Sequence, residues 1–152
     1  MHSDQNTELA RKLAHLLADT VAAKFIFHGY HWNVLGPDFG EYHKFFKTLY
    51  KDVDSSIDPL GENILKAGFP APYFLTDYAE MSRIKEDRLD GSSPAFLLQS
   101  AKRINDELMH SLLDTFKKAQ DCNEQGLMDF LAGRIDTHKT FNWQIKSFLG
   151  VR

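Results

Sequence analysis

Apolar residues recur at three- and four-residue steps through four separate stretches of the chain, which is the period of amphipathic helices and not of strands. Leu9, Leu13, Leu16, Thr20, Ala23, Phe27 and Tyr30 draw the first stripe. It predicts a helix ending near Leu35, where Gly36-Pro37 stops it. Asp38 stands where it can cap a second helix carrying Phe39, Tyr42, Phe46, Leu49, Val53 and Ile57. Gly68-Phe69-Pro70-Ala71-Pro72 then forces an extended connection, because proline restricts itself and the residue before it. A short helix is expected from Thr76 to Ile84. Ser92-Ser93-Pro94 opens a third long helix, with Ser93 as N-cap and Pro94 in the first helical position. Its stripe is Leu97, Ala101, Ile104, Leu108, Leu112 and Phe116. Gly126 is expected to interrupt near Cys122-Asn123-Glu124-Gln125. Leu127, Leu131, Ile135, His138, Phe141, Ile145 and Leu149 form the fourth stripe.

Short, long and short connections between four long helices define an all-α bundle with one crossover, and the crossover carries the short extra helix. Cytokine-type bundles have two long crossovers and do not fit. The 152 residues are read as one domain, 1–152, and a content of 43% hydrophobic and 12% aromatic residues suffices for a core, which excludes a disordered chain. No apolar run approaches the roughly 20 residues that span a bilayer. Met1-His2-Ser3-Asp4 has neither the basic start nor the apolar core of a secretory signal, so a cytoplasmic protein is expected. Cys122 is the single cysteine, so no intrachain disulfide forms and no oxidising compartment is implied.

Candidate chemistry concentrates between Tyr30 and Glu62. His31, His43, Asp58 and Glu62 together are a ligand set for a first-row metal such as iron rather than for magnesium or calcium, which prefer oxygen shells. Asp58 and Glu62 are four apart and project from one helical face. His31 and His43 are separated by the Gly-Pro break and sit on different elements. His43 precedes Asp58 by about four helical turns, roughly 20 Å along one helix at about 1.5 Å per residue, so one chain cannot close the site with both ends of that helix. His2, His15 and His28 read as solvent or packing residues. Glu107-x-x-His110 is one copy of a unit that di-iron bundles need twice, so an intrasubunit centre is not expected.

The run His31-Trp32-Asn33-Val34-x-Gly36-x-x-Phe39-x-x-x-His43-x-x-Phe46, followed by Asp58-x-x-x-Glu62, resembles the signature of the Dps mini-ferritins. The resemblance extends to Arg134-x-x-x-His138-x-x-x-x-Trp143 and to overall length. It implies a ferritin-like four-helix bundle assembling into a hollow dodecamer, an Fe(II) oxidase preferring hydrogen peroxide, and storage of ferric mineral. It further implies that the two histidines of one subunit meet the two acids of a two-fold neighbour, with Trp32 beside the iron. Asp121, Glu124 and Asp129, around the turn between the third and fourth long helices, are candidates for a cation pore.

Departures from the family pattern carry their own expectations. Lys47, one turn after His43, stands where several relatives have an acid that helps a second iron, and an ammonium repels a cation. One strong iron position is therefore expected. Pro59 cannot donate to the Ser55 carbonyl and clashes with it, which predicts a bend or bulge with a serine hydroxyl serving the freed carbonyl. Asp54 is the substitute ligand if the bend displaces Asp58. Residues 1–8 hold two acids and no Lys or Arg, the chain closes on Phe148-Leu149-Gly150-Val151-Arg152, and the net charge is −3. Tail-mediated DNA binding is therefore not expected.

Overall fold

The structure, a computed structural model, describes residues 4–86 and 93–152. Met1 to Ser3, including His2, and Ser92 lie outside the described residues. The order is α1 (Asp4–Asn33), α2 (Phe39–Ser55), α3 (Ile57–Lys66), α4 (Leu75–Met81), α5 (Pro94–Asp121) and α6 (Gln125–Phe148). Helix α1 packs against α2, α3, α4 and α5, and α5 packs against α6. The result is an all-helical, ferritin-like four-helix bundle in which α2 and α3 together make the second rod and α4 sits in the crossover.

The predicted stripes supply the core. Phe27, Val34, Phe46, Leu49, Val53, Leu98, Ala101, Ile104 and Ile145 are buried in one cluster. Leu9, Leu13, Leu16, Leu60, Ile64, Leu112 and Leu131 fill the other. Helix α1 reaches both clusters, so its continuous apolar face ties the two halves of the bundle together.

Several boundaries differ in instructive ways. Helix α1 stops at Asn33, with the Val34 amide on the Tyr30 carbonyl, and Gly36 turns the chain at φ 140°, a region L side chains rarely enter. Asp38 precedes α2 as expected but serves through its carbonyl, which accepts the Glu41 and Tyr42 amides; its side chain makes no cap bond. Pro94 begins α5 and Ser93 enters it in extended geometry. The short helix is Leu75–Met81, and residues 82–86 are not helical. Gly126 does not interrupt; it lies inside α6. The turn belongs to Asn123, left-handed at φ 57°, a conformation for which asparagine is among the better-suited non-glycine residues.

The second rod breaks at Ser56. Its amide reaches only as far as Val53 (3.1 Å), its hydroxyl donates to the same carbonyl (2.7 Å), and the Ser55 hydroxyl donates to Asp52 (2.5 Å). The expected interruption thus occurs, but the hydroxyls serve carbonyls one turn earlier than Ser55's.

Beneath the crossover, the buried carboxylate of Asp19 accepts the Arg83 amide (2.6 Å), the Ser82 hydroxyl (3.2 Å), the Arg83 guanidinium (3.1 Å) and the Ser111 hydroxyl (3.0 Å). One acid therefore pins the segment after α4 to both α1 and α5.

Candidate metal centre

The turn at Gly36 folds α2 back along α1 and brings His31 and His43 face to face. Their rings are stacked, 3.7 Å between centroids and 15° from parallel. Each Nδ1 lies 2.7 Å from the other residue's backbone oxygen. A carbonyl only accepts, so both Nδ1 atoms carry a proton, and Nε2 is the nitrogen left to offer a lone pair from the neutral ring. That is the tautomer of a metal-ligating imidazole whose other nitrogen is held by a backbone acceptor. The His31 carbonyl is in the last turn of α1, where helical carbonyls lack amide partners, so the His43 ring also caps that helix.

An aromatic wall surrounds the pair. Phe39 stacks on His43 at 4.8 Å, and Tyr50 meets His31 edge-on at 5.3 Å. His28 lies between Tyr50 and Trp32, 4.0 Å from each ring, and Trp32 is 65% exposed. Desolvation lowers the His28 pKa, Lys24 and His31 add to the effect, and Asp54 opposes it. The sequence reading took His28 as a solvent or packing residue, and it packs here; Tyr50 had no assigned place. The available signals were the His28-x-x-His31 spacing on one face of α1 and Tyr50 two turns beyond His43.

Asp58 lies in the first turn of α3 and Glu62 one turn on; both are exposed and share an open groove with Leu17, Ile57, Leu65 and Tyr78. Asp54 is exposed near the end of α2. Among the described residues no three His, Cys, Asp or Glu side chains lie close enough to hold one ion. The chain thus brings the two histidines together and the two acids together, and keeps the halves apart. Glu107 and His110 are exposed, outside the bundle interior.

That interior holds a different polar chain. The Arg134 guanidinium donates to Asp52 (2.7 and 3.2 Å) and to His138 Nε2 (3.0 Å). Arginine has no acceptor, so His138 Nε2 accepts and Nδ1 donates to Asn105 Oδ1 (2.6 Å), while Asn105 Nδ2 returns a bond to the His138 carbonyl (2.9 Å). Burial, and secondarily Arg134, push the His138 pKa down to about 3. A neutral, fully bonded imidazole beside a guanidinium is a structural arrangement.

Asp121, Glu124 and Asp129 are exposed around the α5–α6 turn. Cys122 is half-buried, its thiol facing the Gln5 carbonyl at 3.8 Å. At the far end of α6, Lys139, Lys146 and Arg152 line a cleft with exposed Trp143. Weighing the tails alone missed this basic cleft. No helix among the described residues is long and apolar enough to cross a membrane.

The ferritin-like domain family model matches residues 10–151, and the chain belongs to that family as a Dps-type mini-ferritin. A DNA protection during starvation protein of Brevibacillus brevis is 30% identical over 80% of this chain and 81% of that one. A Dps protein from Bacillus brevis superposes with a TM-score of 0.92 at 27% identity, covering 98% of this chain and 99% of that one. A Dps protein of Vibrio cholerae, described as a member of the ferritin-like diiron-carboxylate superfamily, superposes at 0.90 with 27% identity over 95% of this chain and 91% of that one.

Proposed function

We propose that copies of this chain assemble into a hollow cage, a dodecamer, that oxidises Fe(II) with hydrogen peroxide and stores the ferric product. Iron is the substrate and cargo. His31 and His43 of one subunit bind it through Nε2, and Asp58 and Glu62 of a two-fold neighbour supply hard anionic oxygens that favour the ferric state. The observation that supports this most is the reciprocal clasp of His31 and His43, which holds two imidazoles in the ligating tautomer on a chain whose paired acids lie elsewhere. Two Fe(II) give one electron each to one peroxide, which with two protons becomes two waters, so no hydroxyl radical is released. Asp121, Glu124 and Asp129 are proposed to draw cations toward the cavity.

An anomalous-scattering map of iron-soaked crystals tests the assignment: iron is expected between subunits on these four side chains. Glu62→Ala is expected to abolish most fast iron oxidation while leaving the cage assembled, since packing comes from the apolar stripes. Mixed cages of His31→Ala/His43→Ala subunits with Asp58→Ala/Glu62→Ala subunits are expected to recover a fraction of the activity. Iron held by all four groups of one chain, or mixed cages without recovery, rejects the reading.

The Lys139, Lys146, Arg152 and Trp143 cleft favours one second reading, a cage that holds DNA by its surface. Plasmid retardation at physiological salt that disappears in Lys139→Ala/Lys146→Ala would establish it. The net charge of −3 leads us to expect no retardation.

A further inference from the structure

The clasp leaves one freedom open at His43. A histidine ring turns on a broad, roughly two-fold torsion, and a single bond from Nδ1 to the His31 carbonyl lets the ring rock about that bond. Rocking swings Nε2, the nitrogen left to face a metal. Holding Nε2 on target takes contact on the flat faces of the ring.

We infer that Phe39 is a positioning residue of the centre, its phenyl ring fixing the plane of the His43 imidazole; the inference rests on the iron-oxidising reading above. Phe39 precedes His43 by one turn of α2, and side chains on a helix lean toward the preceding turn, which brings the imidazole down over the phenyl ring. The two rings lie 4.8 Å apart between centroids and 24° from parallel, while His31 lies 3.7 Å from His43 and 15° from parallel. Two rings this close on one face of an imidazole would collide. Phe39 and His31 therefore take opposite faces, and His43 is held between them.

The local backbone aims the phenyl ring. Gly36 turns the chain at φ 140°, and its carbonyl accepts the Phe39 amide at 3.1 Å. A Cβ on Gly36 would stand 3.6 Å from Pro94 Cγ, so the first residue of α5 packs against the same turn. Core packing does not account for Phe39: the ring is 42% exposed and belongs to neither buried cluster. Among the described residues, the ring it stacks on is His43.

The test is Co(II) binding to the assembled full-length protein, titrated by its visible absorption, beside iron oxidation by peroxide. Phe39→Ala is expected to leave assembly unchanged and to weaken Co(II) binding about tenfold or more, the usual size for losing a group that orients a ligand. Phe39→Tyr keeps the flat face and is expected to bind as the wild type does. Phe39→Leu keeps apolar bulk without that face and is expected to resemble Phe39→Ala. Wild-type affinity in Phe39→Ala or Phe39→Leu, or a Phe39→Tyr protein as weak as Phe39→Ala, overturns the inference and leaves the iron-oxidising reading standing. A cage that falls apart in Phe39→Ala assigns the ring to assembly and overturns it too. Wild type that neither binds Co(II) nor oxidises iron removes both.

Discussion

His138 is expected to make the protein acid-sensitive in a window where most carboxylates remain charged. The residue is 3% exposed, and its pKa falls from 6.5 to about 3 because burial and the adjacent guanidinium disfavour the imidazolium. Above pH 6.5 the ring is neutral in both folded and unfolded chains and costs nothing. As pH falls below that value the unfolded chain takes up a proton that the folded chain refuses, so the folded state loses about 1.4 kcal/mol per pH unit. Between pH 7 and pH 5 the loss is about 2 kcal/mol; it levels off only below about pH 3, where both states are protonated. The measurement is made as a difference between two proteins. Urea unfolding of the wild type and of His138→Gln, at one fixed subunit concentration and at several pH values, isolates the term. The variant is expected to be less stable at pH 7, because it disturbs bonds to Arg134 and Asn105, and the gap is expected to narrow by about 2 kcal/mol by pH 5. Parallel stability profiles across that range would refute the reasoning.

Asp19→Ala leaves the Ser111 hydroxyl and the Arg83 amide without their buried acceptor. It is expected to cost about 3 kcal/mol and to speed hydrogen exchange at the Arg83 amide; a cost below about 0.5 kcal/mol would mean the crossover is held elsewhere. Asn123→Ala forces a less tolerant residue into left-handed geometry and should cost about 1 kcal/mol in thermal melts, whereas Asn123→Gly should be neutral or better. Pro59→Ala restores a backbone donor, and its crystal structure should show residue 59 bonded to the Ser55 carbonyl with helix continuing through Ser56. Persistence of the break would place its cause in the serine hydroxyls.

The bundle was legible in the sequence because its determinants are local and periodic. Leu9 to Tyr30 and Leu97 to Phe116 each state a helix and its buried face, and Ser93-Pro94 states where one begins. The interruption near Pro59 was legible for the same reason, a missing donor being a property of one residue. The turn at Asn123 was misassigned to Gly126 because glycine's freedom says only where a left-handed residue is permitted, and asparagine competes for that role. Tertiary partnerships were not legible. Neither His28 beside Tyr50 nor Asn105 beside His138 follows from any spacing within one helix, since each pair joins two helices whose relative rotation the stripes leave loose. The Lys139 and Lys146 cleft needed the end of α6 to be seen folded against its own surface. His31 and His43 were found by spacing, but their mutual bonds depend on how tightly the Gly36 turn closes.

Those mutual bonds make each histidine both a ligand and the other's support. Removing the His31 ring would take the side-chain donor from the His43 carbonyl, and removing the His43 ring would leave the last turn of α1 open. A single alanine substitution here is therefore a double lesion, striking one nitrogen donor directly and the hairpin that aims the remaining one. Effects of the two substitutions should fall well short of adding, as they do for residues that share one network. A survey that scored each histidine separately would count the same joint twice. Loss of metal in either variant is thus a measure of the clasp before it is a measure of a ligand.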